Sequence, residues 1–358
     1  MQNKSLLVAA LACALAGCAA PHGQFAVVVA PVADVRSKPG YLPTGYSHDD
    51  AQETQLLLGE EVRVEKTQGD WALIEAIEQP EYTHHDRWEG YPGWALQSTL
   101  KSISHEQRAA AAANAIIVVK WAPAWLDEPL TQPAEPLPMG AAVKVTDDTG
   151  ERWRIQLPTG DRVGDEGVPT RDGAAAEAVW VARASVRRWQ DLAHVTAEER
   201  RRLVLSAAQE LLGDPYLWGG RSPHDNARSL PITGIDCSGL VNLAYRVAGI
   251  RLPRDAHEQY LRARPVLAPA PGDLVFLSSP DRPDRMTHVM LYAGNEELIE
   301  APGTGEQVRR ITTHDRLGRA LRGLRPGDRV GNENVPRAEG GAAESVGGRR
   351  VFFGAYLP

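Results

Sequence analysis

The chain has 358 residues, 43% hydrophobic and 24% charged, with a formal net charge of -7 and a pI near 5.8. That is globular composition, long enough for two or three domains with cores of their own. The acidic balance and the lack of a basic stripe argue against a nucleic-acid partner.

The chain opens MQNKSLLVAALACALAGCAA, in which Lys4 precedes an apolar stretch and small residues. Residues 1–17 read as a signal peptide, too short for an ordinary spanning helix. Its end, Leu15-Ala16-Gly17-Cys18, resembles a bacterial lipobox. The resemblance implies that Cys18 is lipidated and becomes the first mature residue; the alternative is a plain secretory leader that contains cysteine. A lipid anchor attaches the protein to a membrane and leaves its domains in water. Ala19 after the cysteine points, in a Gram-negative host, to the periplasmic face of the outer membrane. Residues 18–25 then form a tether.

From 26 to 105, short β-branched runs alternate with turn signals. Val62-Arg63-Val64-Glu65 and Trp71-Ala72-Leu73-Ile74-Glu75 alternate apolar and polar, as half-buried strands do, and predict a small β barrel. The alanine-rich RAAAAANAI at 108–116 predicts a connecting helix or linker. Residues 114–190 repeat the texture: strand, Gly turn, strand with tryptophan, turn, and a closing Trp-containing step (GYPGWAL in one, AVWVARA in the other). Two related barrels, a degenerate internal repeat, are expected. The Pro-rich LDEPLTQPAEPLP reads as a loop inside the second.

At Thr196 the texture changes, opening a third domain over 196–358. Thr196 followed by Glu199 is a helix-capping pattern, and the helical spacing after it ends at Gly213. A second helix is predicted from Ser238 to Ala248, closed by Gly249. GDLVFLSS, THVMLYAG and EELIEA read as successive strands, so this domain is α+β with an antiparallel sheet. Residues 327–350 have few apolar groups and read as a mobile loop, after which VFFGAYL returns to the sheet.

Of the 3 cysteines, Cys13 and Cys18 lie in the leader, which leaves Cys237 of GIDCSGLV with nothing to bridge. An unpaired thiol in an oxidising compartment is either buried and inert or reactive. Cys237 falls in the first turn of its helix, where free N–H groups and the dipole favour a thiolate. Asp236 works against this, so a nucleophile here needs a base. His288 opens a strand after a polar loop and can present one ring nitrogen to the thiol while the other is held from behind. EELIEA returns as a hairpin through Gly294-Asn295, bringing Glu300 level with His288. There it either fixes the imidazole tautomer as a third triad member or stays a solvated strand-end carboxylate. His224, His257 and His314 have no partner in this reading. No zinc-binding spacing is present, so neither metal nor cofactor is expected.

GDPYLWGGRSP, GIDCSGLVNLAYRVAGIRLPRDAHEQY, PGDLVFLSS, MTHVMLYAG and LIEAPGTG, in that order over residues 196–358, resemble the NlpC/p60 family of cell-wall cysteine peptidases. The resemblance implies a papain-like α+β catalytic domain with Cys237 as nucleophile and His288 as base. The family's third residue, polar and most often histidine, maps onto Glu300. Glutamate is a departure that keeps the orienting chemistry. Together with PVADVRSKP, ETQLLLGE, GYPGW and LPTG, these motifs look like the γ-D-glutamyl-L-diamino acid endopeptidases with two N-terminal bacterial SH3-like domains. The implied architecture is multidomain: two small all-β SH3-like barrels, then the catalytic domain.

That branch implies hydrolysis of the bond between the D-glutamate γ-carboxyl and the diamino acid of a peptidoglycan stem peptide. The first barrel walls the cleft, so that only a free N-terminal L-alanine fits. Asp236 and Asp255 would bind its ammonium group and reject an alanine still amide-linked to muramic acid. Ser238 and Arg254 match the branch's motifs; Tyr91 of GYPGW and Glu53 of ETQ come from the first barrel. Tyr216 and Trp218 line the cleft or fill the core, and the insert HDNARSLPIT is a substrate loop or a surface excursion. The expectation is a lipid-anchored peptidase of stem peptides, with diaminopimelate favoured by the Gram-negative style of the leader. The competing readings are a catalytically silent wall-binding lipoprotein and the same fold passing its thioester to another acceptor.

Overall fold

The computed structural model describes residues 24–110, 112–158, 178–227, 231–331 and 348–358. The leader, Cys18 and the tether up to residue 23 lie outside them. No helix among the described residues is long and apolar enough to cross a membrane.

The first seven strands are β1 Gln24–Val28, β2 Val32–Arg36, β3 Gln52–Leu57, β4 Glu61–Gln68, β5 Trp71–Glu81, β6 Glu89–Leu96 and β7 Leu100–Ile103. They form one sheet in the order β3-β2-β6-β5-β4-β1-β7. Alternation does what it predicts along β5, where Ala72, Ile74 and Ala76 point into a core shared with Val28, Leu56 and Val62. After the short helix α1 (His105–Ala110) come β8 Ala115–Ile117, β9 Trp121–Trp125, β10 Pro133–Pro138, β11 Ala142–Asp148, β12 Arg152–Gln156, β13 Ala178–Ala182 and β14 Val186–Arg188. Their order is β10-β9-β13-β12-β11-β8-β14, the same permutation as in the first sheet. The repeat expected from the tryptophan steps is thus a repeat of topology. Among the described residues no ladder joins β3 to β7 or β10 to β14, so each sheet is open rather than closed into a barrel.

Two details differ from the sequence reading. The helix after the first sheet lies at His105–Ala110, and Ala115 already belongs to a strand. The Pro-rich segment is not all loop: β10 pairs with β9 through an irregular register. Prolines are tolerated there because β10 is the edge strand, where a missing N–H costs no ladder bond.

The remaining chain forms α2 Trp189–Leu192, α3 Ala197–Glu210, α4 Cys237–Val247, α5 Ala256–Arg262 and α6 Thr313–Leu317 with β15 Arg264–Pro265, β16 Leu274–Ser278, β17 Met286–Gly294, β18 Glu297–Glu300, β19 Arg309–Thr312, β20 Arg329–Val330 and β21 Arg349–Ala355. The sheet is antiparallel throughout, ordered β15-β21-β16-β17-β18-β19, with β20 on β21. Thr196 caps α3 by accepting the Glu199 N–H at 3.1 Å. All of α4 is buried, between α3 and β17. VFFGAYL is the expected returning strand. The ends of the 327–350 segment are ladder rather than loop, pairing Arg329 with Arg350 and Val330 with Arg349; residues 332–347 lie outside the described part.

Buried polar contacts weld the three units together. Glu60 of the first pairs with Arg221 at 2.8 Å and Arg246 at 3.3 Å, all three nearly inaccessible. Arg246 also donates to the Gly140 carbonyl of the second unit at 2.7 Å. Gly59 sits at φ +80°, and a Cβ there would lie 1.8 Å from the Ala142 carbonyl oxygen, so only glycine lets the two β units touch. His224, unpartnered in the sequence reading, bonds Tyr46 Oη at 3.0 Å, while its carbonyl accepts from Trp121 Nε1 at 3.0 Å. It pins the start of the insert against both β units.

Candidate active site

Cys237 is the first residue of α4, 9% exposed and free of any disulfide. Asp236 is the N-cap, accepting the Gly239 N–H at 2.6 Å. The YLWGG loop crosses this first turn so closely that a Cβ on Gly239 would stand 2.2 Å from the Gly220 carbonyl oxygen. The DCSG glycine is therefore a requirement of close approach. The helix start alone does not make a resident thiolate, and Asp236 works against one, as expected. Burial, and then Asp236, push the thiol up to about 12, against the backbone N–H groups of Val289 and Ser238 and the Arg254 charge.

The contact with the Val289 N–H brings the sulfur against β17 one residue from His288. His288 is 5% exposed, and its Nε2 meets Glu300 Oε2 at 2.8 Å. Nδ1 makes no hydrogen bond among the described residues. Burial holds the imidazole below its ordinary range, opposed by Glu300 and assisted by Arg316 and Arg349. Glu300 is fully buried rather than solvated. It is not level with His288: the ladder pairs Leu291 with Ile299, and continuing it puts Glu300 opposite Met290, so the contact is diagonal. Arg316 Nε reaches Glu300 Oε2 at 2.8 Å and Arg309 Nη2 reaches Oε1 at 2.8 Å. Although burial opposes it, the guanidinium of Arg316, the His288 bond and Arg309 together hold this carboxyl far below its ordinary range. The sequence reading missed both arginines, since neither belongs to a motif and the spacer before β19 hides the pairing.

Three expected substrate residues are turned inward. Arg254, 0% exposed, clamps Asp236 with Nη2–Oδ2 at 2.7 Å and Nη1–Oδ1 at 3.1 Å. It also donates to Ser238 Oγ at 2.9 Å and Thr54 Oγ1 at 2.7 Å. Asp236 is thus charge-paired with Arg254, and its Oδ1 also accepts from the Gly239 N–H and Ser238 Oγ. Arg254 and Ser238 hold the helix start, and Ser238 contributes its backbone N–H beside the sulfur. Tyr216 is 7% exposed in the core, whereas Trp218 is 43% exposed with its ring 4.4 Å from that of His48.

The remaining three come together. Tyr91 Oη lies 3.1 Å from Glu53 Oε2 and 3.2 Å from Asp255 Oδ2, so one phenol links a first-unit carboxylate to one beside α5. Burial, Glu258 and Asp236 push Asp255 up to about 7 against the pull of Arg254. His84, absent from the sequence reading, stacks edge-on to Tyr91 and lies 3.9 Å from Glu53. Its bond to Glu81 at 2.9 Å raises its affinity for a proton. Among the described residues one group, Glu81, His85 and Glu89, has donor atoms close enough to share a metal ion. Glu89 already pairs with Arg87 at 2.7 Å, and none of the three bonds to Cys237 or His288.

A buried thiol at a helix start, beside a strand histidine oriented from behind, is the core of a cysteine peptidase. The NlpC/P60 family model matches residues 213–319, which contain Cys237, His288 and Glu300. The chain carries an NlpC/P60 family domain. It is a hydrolase of the cysteine peptidase type. A γ-D-glutamyl-L-lysine dipeptidyl-peptidase of Bacillus cereus is 26% identical over 255 residues, covering 70% of this chain and 67% of its own. The Bacillus subtilis protein of that name is 26% identical over 272 residues, covering 75% and 78%. Murein DD-endopeptidase MepH of Escherichia coli is 35% identical over 143 residues, covering 38% of this chain and about half (49%) of its own. In fold, a crystal structure of an NlpC/P60 family protein from Bacillus cereus superposes with a TM-score of 0.66 at 20% identity, over 93% of this chain and 100% of that one.

Proposed function

We propose that this NlpC/P60 protein hydrolyses the γ-D-glutamyl–diamino acid bond of peptidoglycan stem peptides that carry a free N-terminal L-alanine. The observation that carries the reading is the meeting of Glu53 and Tyr91 with Asp255. Two carboxylates around one neutral phenol leave excess negative charge in a partly dry site, which suits a peptide ammonium. An acylated alanine brings no charge there and leaves the carboxylates desolvated without a partner. Relatives named γ-D-glutamyl-L-lysine dipeptidyl-peptidase support the same bond. In this reading the two β units are SH3-like, the first walling the cleft. Lipidation at Cys18 tethers the enzyme to the periplasmic face of the outer membrane, and diaminopimelate is the diamino acid.

In the reaction, His288 Nδ1 takes the thiol proton as Cys237 Sγ attacks the γ-glutamyl carbonyl carbon. The Ser238 N–H, already beside the sulfur, stabilises the oxyanion. The proton passes to the departing amine and leaves a thioester at Cys237. Water, deprotonated by the same imidazole, then releases the L-Ala-D-Glu dipeptide and restores the thiol. Incubation with L-Ala-γ-D-Glu-diaminopimelate followed by mass spectrometry tests this. Dipeptide and free diaminopimelate should form with the wild type, and none above background with Cys237→Ala. Turnover retained in that variant excludes the mechanism.

A further inference from the structure

We propose that Arg309 and Arg316 are positioning residues for catalysis, compensating the Glu300 carboxylate so that a glutamate can aim His288 without holding it as an imidazolium. The inference rests on the peptidase reading above and concerns how this chain runs the reaction with glutamate in the third position. Both Glu300 oxygens are occupied. Oε2 receives His288 Nε2 and Arg316 Nε, each at 2.8 Å, and Oε1 receives Arg309 Nη2 at 2.8 Å and Nε at 3.1 Å. Four donors around two oxygens fix the rotation of the carboxylate, and with it the direction of the Nε2–H bond and of Nδ1.

Charge gives the second argument. A lone buried carboxylate bonded to an imidazole favours the imidazolium. A resident imidazolium is useless to a cysteine held as thiol, because the base must be free to take the thiol proton. Neutral third residues avoid the difficulty, whereas glutamate creates it. Here two guanidinium groups outweigh the single carboxylate, and they come from separate elements. Arg309 stands directly across the ladder from Glu300, on β19, and Arg316 projects from α6. The other charged group acting on His288 is Arg349 of β21, while Cys237 of α4, with Asp236 behind it, touches the next residue of β17 through the Val289 N–H. His257 of α5 accepts from the Met286 N–H at the start of β17, and Glu306 lies 3.3 Å from Arg309 on its outer side. None of these replaces Arg316 at Oε2.

The test is the pH dependence of kcat on the free tripeptide. kcat reports the enzyme–substrate complex, whereas kcat/KM also titrates Asp255 in the free enzyme. Arg316→Met should move the acid limb of kcat up by about one pH unit, roughly a tenfold loss on that limb, and also lower the plateau as the aim of His288 loosens, with KM little changed. Arg316→Lys, which keeps a cation, should restore most of the wild-type limb. Arg309→Met, at a more exposed position, should shift it in the same direction by less and guards against misfolding of the Arg316 variant. A limb that stays put while kcat falls at every pH would overturn the inference, as would movement of the alkaline limb instead. If the wild type does not cleave the tripeptide, the peptidase reading fails separately. Alkylation of Cys237 by iodoacetamide across pH, followed by mass spectrometry, still reads the same shift in these variants.

Discussion

Cys237 and His288 are both held toward their neutral forms: burial raises the thiol and lowers the imidazole. Proton transfer then belongs to the reaction itself rather than to the resting enzyme. The same desolvation acts at the other end of the site, where Asp255 titrates near 7. As pH falls through that value Asp255 takes up a proton, and the charge proposed to attract the ammonium is lost. As pH rises above about 8 the substrate's own α-amino group loses its proton. KM for the free tripeptide should therefore be lowest between about 7 and 8 and rise up to tenfold per unit on the acid side. Initial-rate measurements from pH 5.5 to 9 check this; a KM flat down to 5.5 would mean Asp255 does not hold the ammonium. The DCSG, THV and LPRDA motifs of the chain already point to Cys237, His288 and Asp255 as the proposed acting residues. The partners of Asp236 were not legible, because only the folded chain shows that Arg254 claims both of its oxygens.

At the scale of elements, the first turn of α4 and the β17–β18 hairpin decide where the chemistry sits. Alanine in place of a helical glycine normally stabilises by about 1 kcal/mol. At Gly239 the added Cβ would overlap the Gly220 carbonyl oxygen at 2.2 Å, and that oxygen belongs to backbone which also receives the Asp236 N–H at 3.1 Å. The overlap should win. Gly239→Ala is expected to lower the melting temperature and cut kcat/KM at least about tenfold, as the turn carrying Cys237 shifts. A variant that melts higher and keeps full activity contradicts the packing described. The hairpin shows where pattern reading ends. The turn reads as Gly294-Asn295, but the left-handed residues are Asn295 at φ 53° and Glu296 at φ 59° as well as Gly294 at φ 88°. A glutamate in that conformation is uncommon, so the turn lies one residue later than its composition suggests and the register slips with it. Glu300 still reaches His288, diagonally. Periodicity and capping located α3 and α4 well, because those signals are local; the edge position of β10 depends on which strands pair, and composition carries no such information.

For the whole molecule, the three units act as one framework because their shared surfaces are polar, buried and tightly fitted. Glu60, Arg221, Arg246, Gln55 and Asn242 tie the first β unit to α4 and the loop before it, with Arg221 Nε on Asn242 at 2.6 Å and Gln55 Nε2 on the Ile232 carbonyl at 2.8 Å. Removing one partner from such a buried network costs about 3–5 kcal/mol, so the β unit is held in a fixed place relative to Cys237. In the proposed function, that rigidity lets Glu53 and Tyr91 serve a site whose nucleophile lies in another unit. The identical strand order of the two β sheets shows the repeat that the tryptophan steps announce, while the contacts differ: the second unit meets the peptidase part through Lys120, Trp121 and Gly140. In the proposed function, selection of a free N-terminus is accordingly a property of the assembled chain. The most direct measurement is the ratio of kcat/KM for L-Ala-γ-D-Glu-diaminopimelate to that for its N-acetylated form with the full-length wild type. A preference of at least roughly 100-fold for the free amine is expected, because the acetyl group removes the charge and leaves partly buried carboxylates unpaired. Equal turnover of the two peptides would contradict the account.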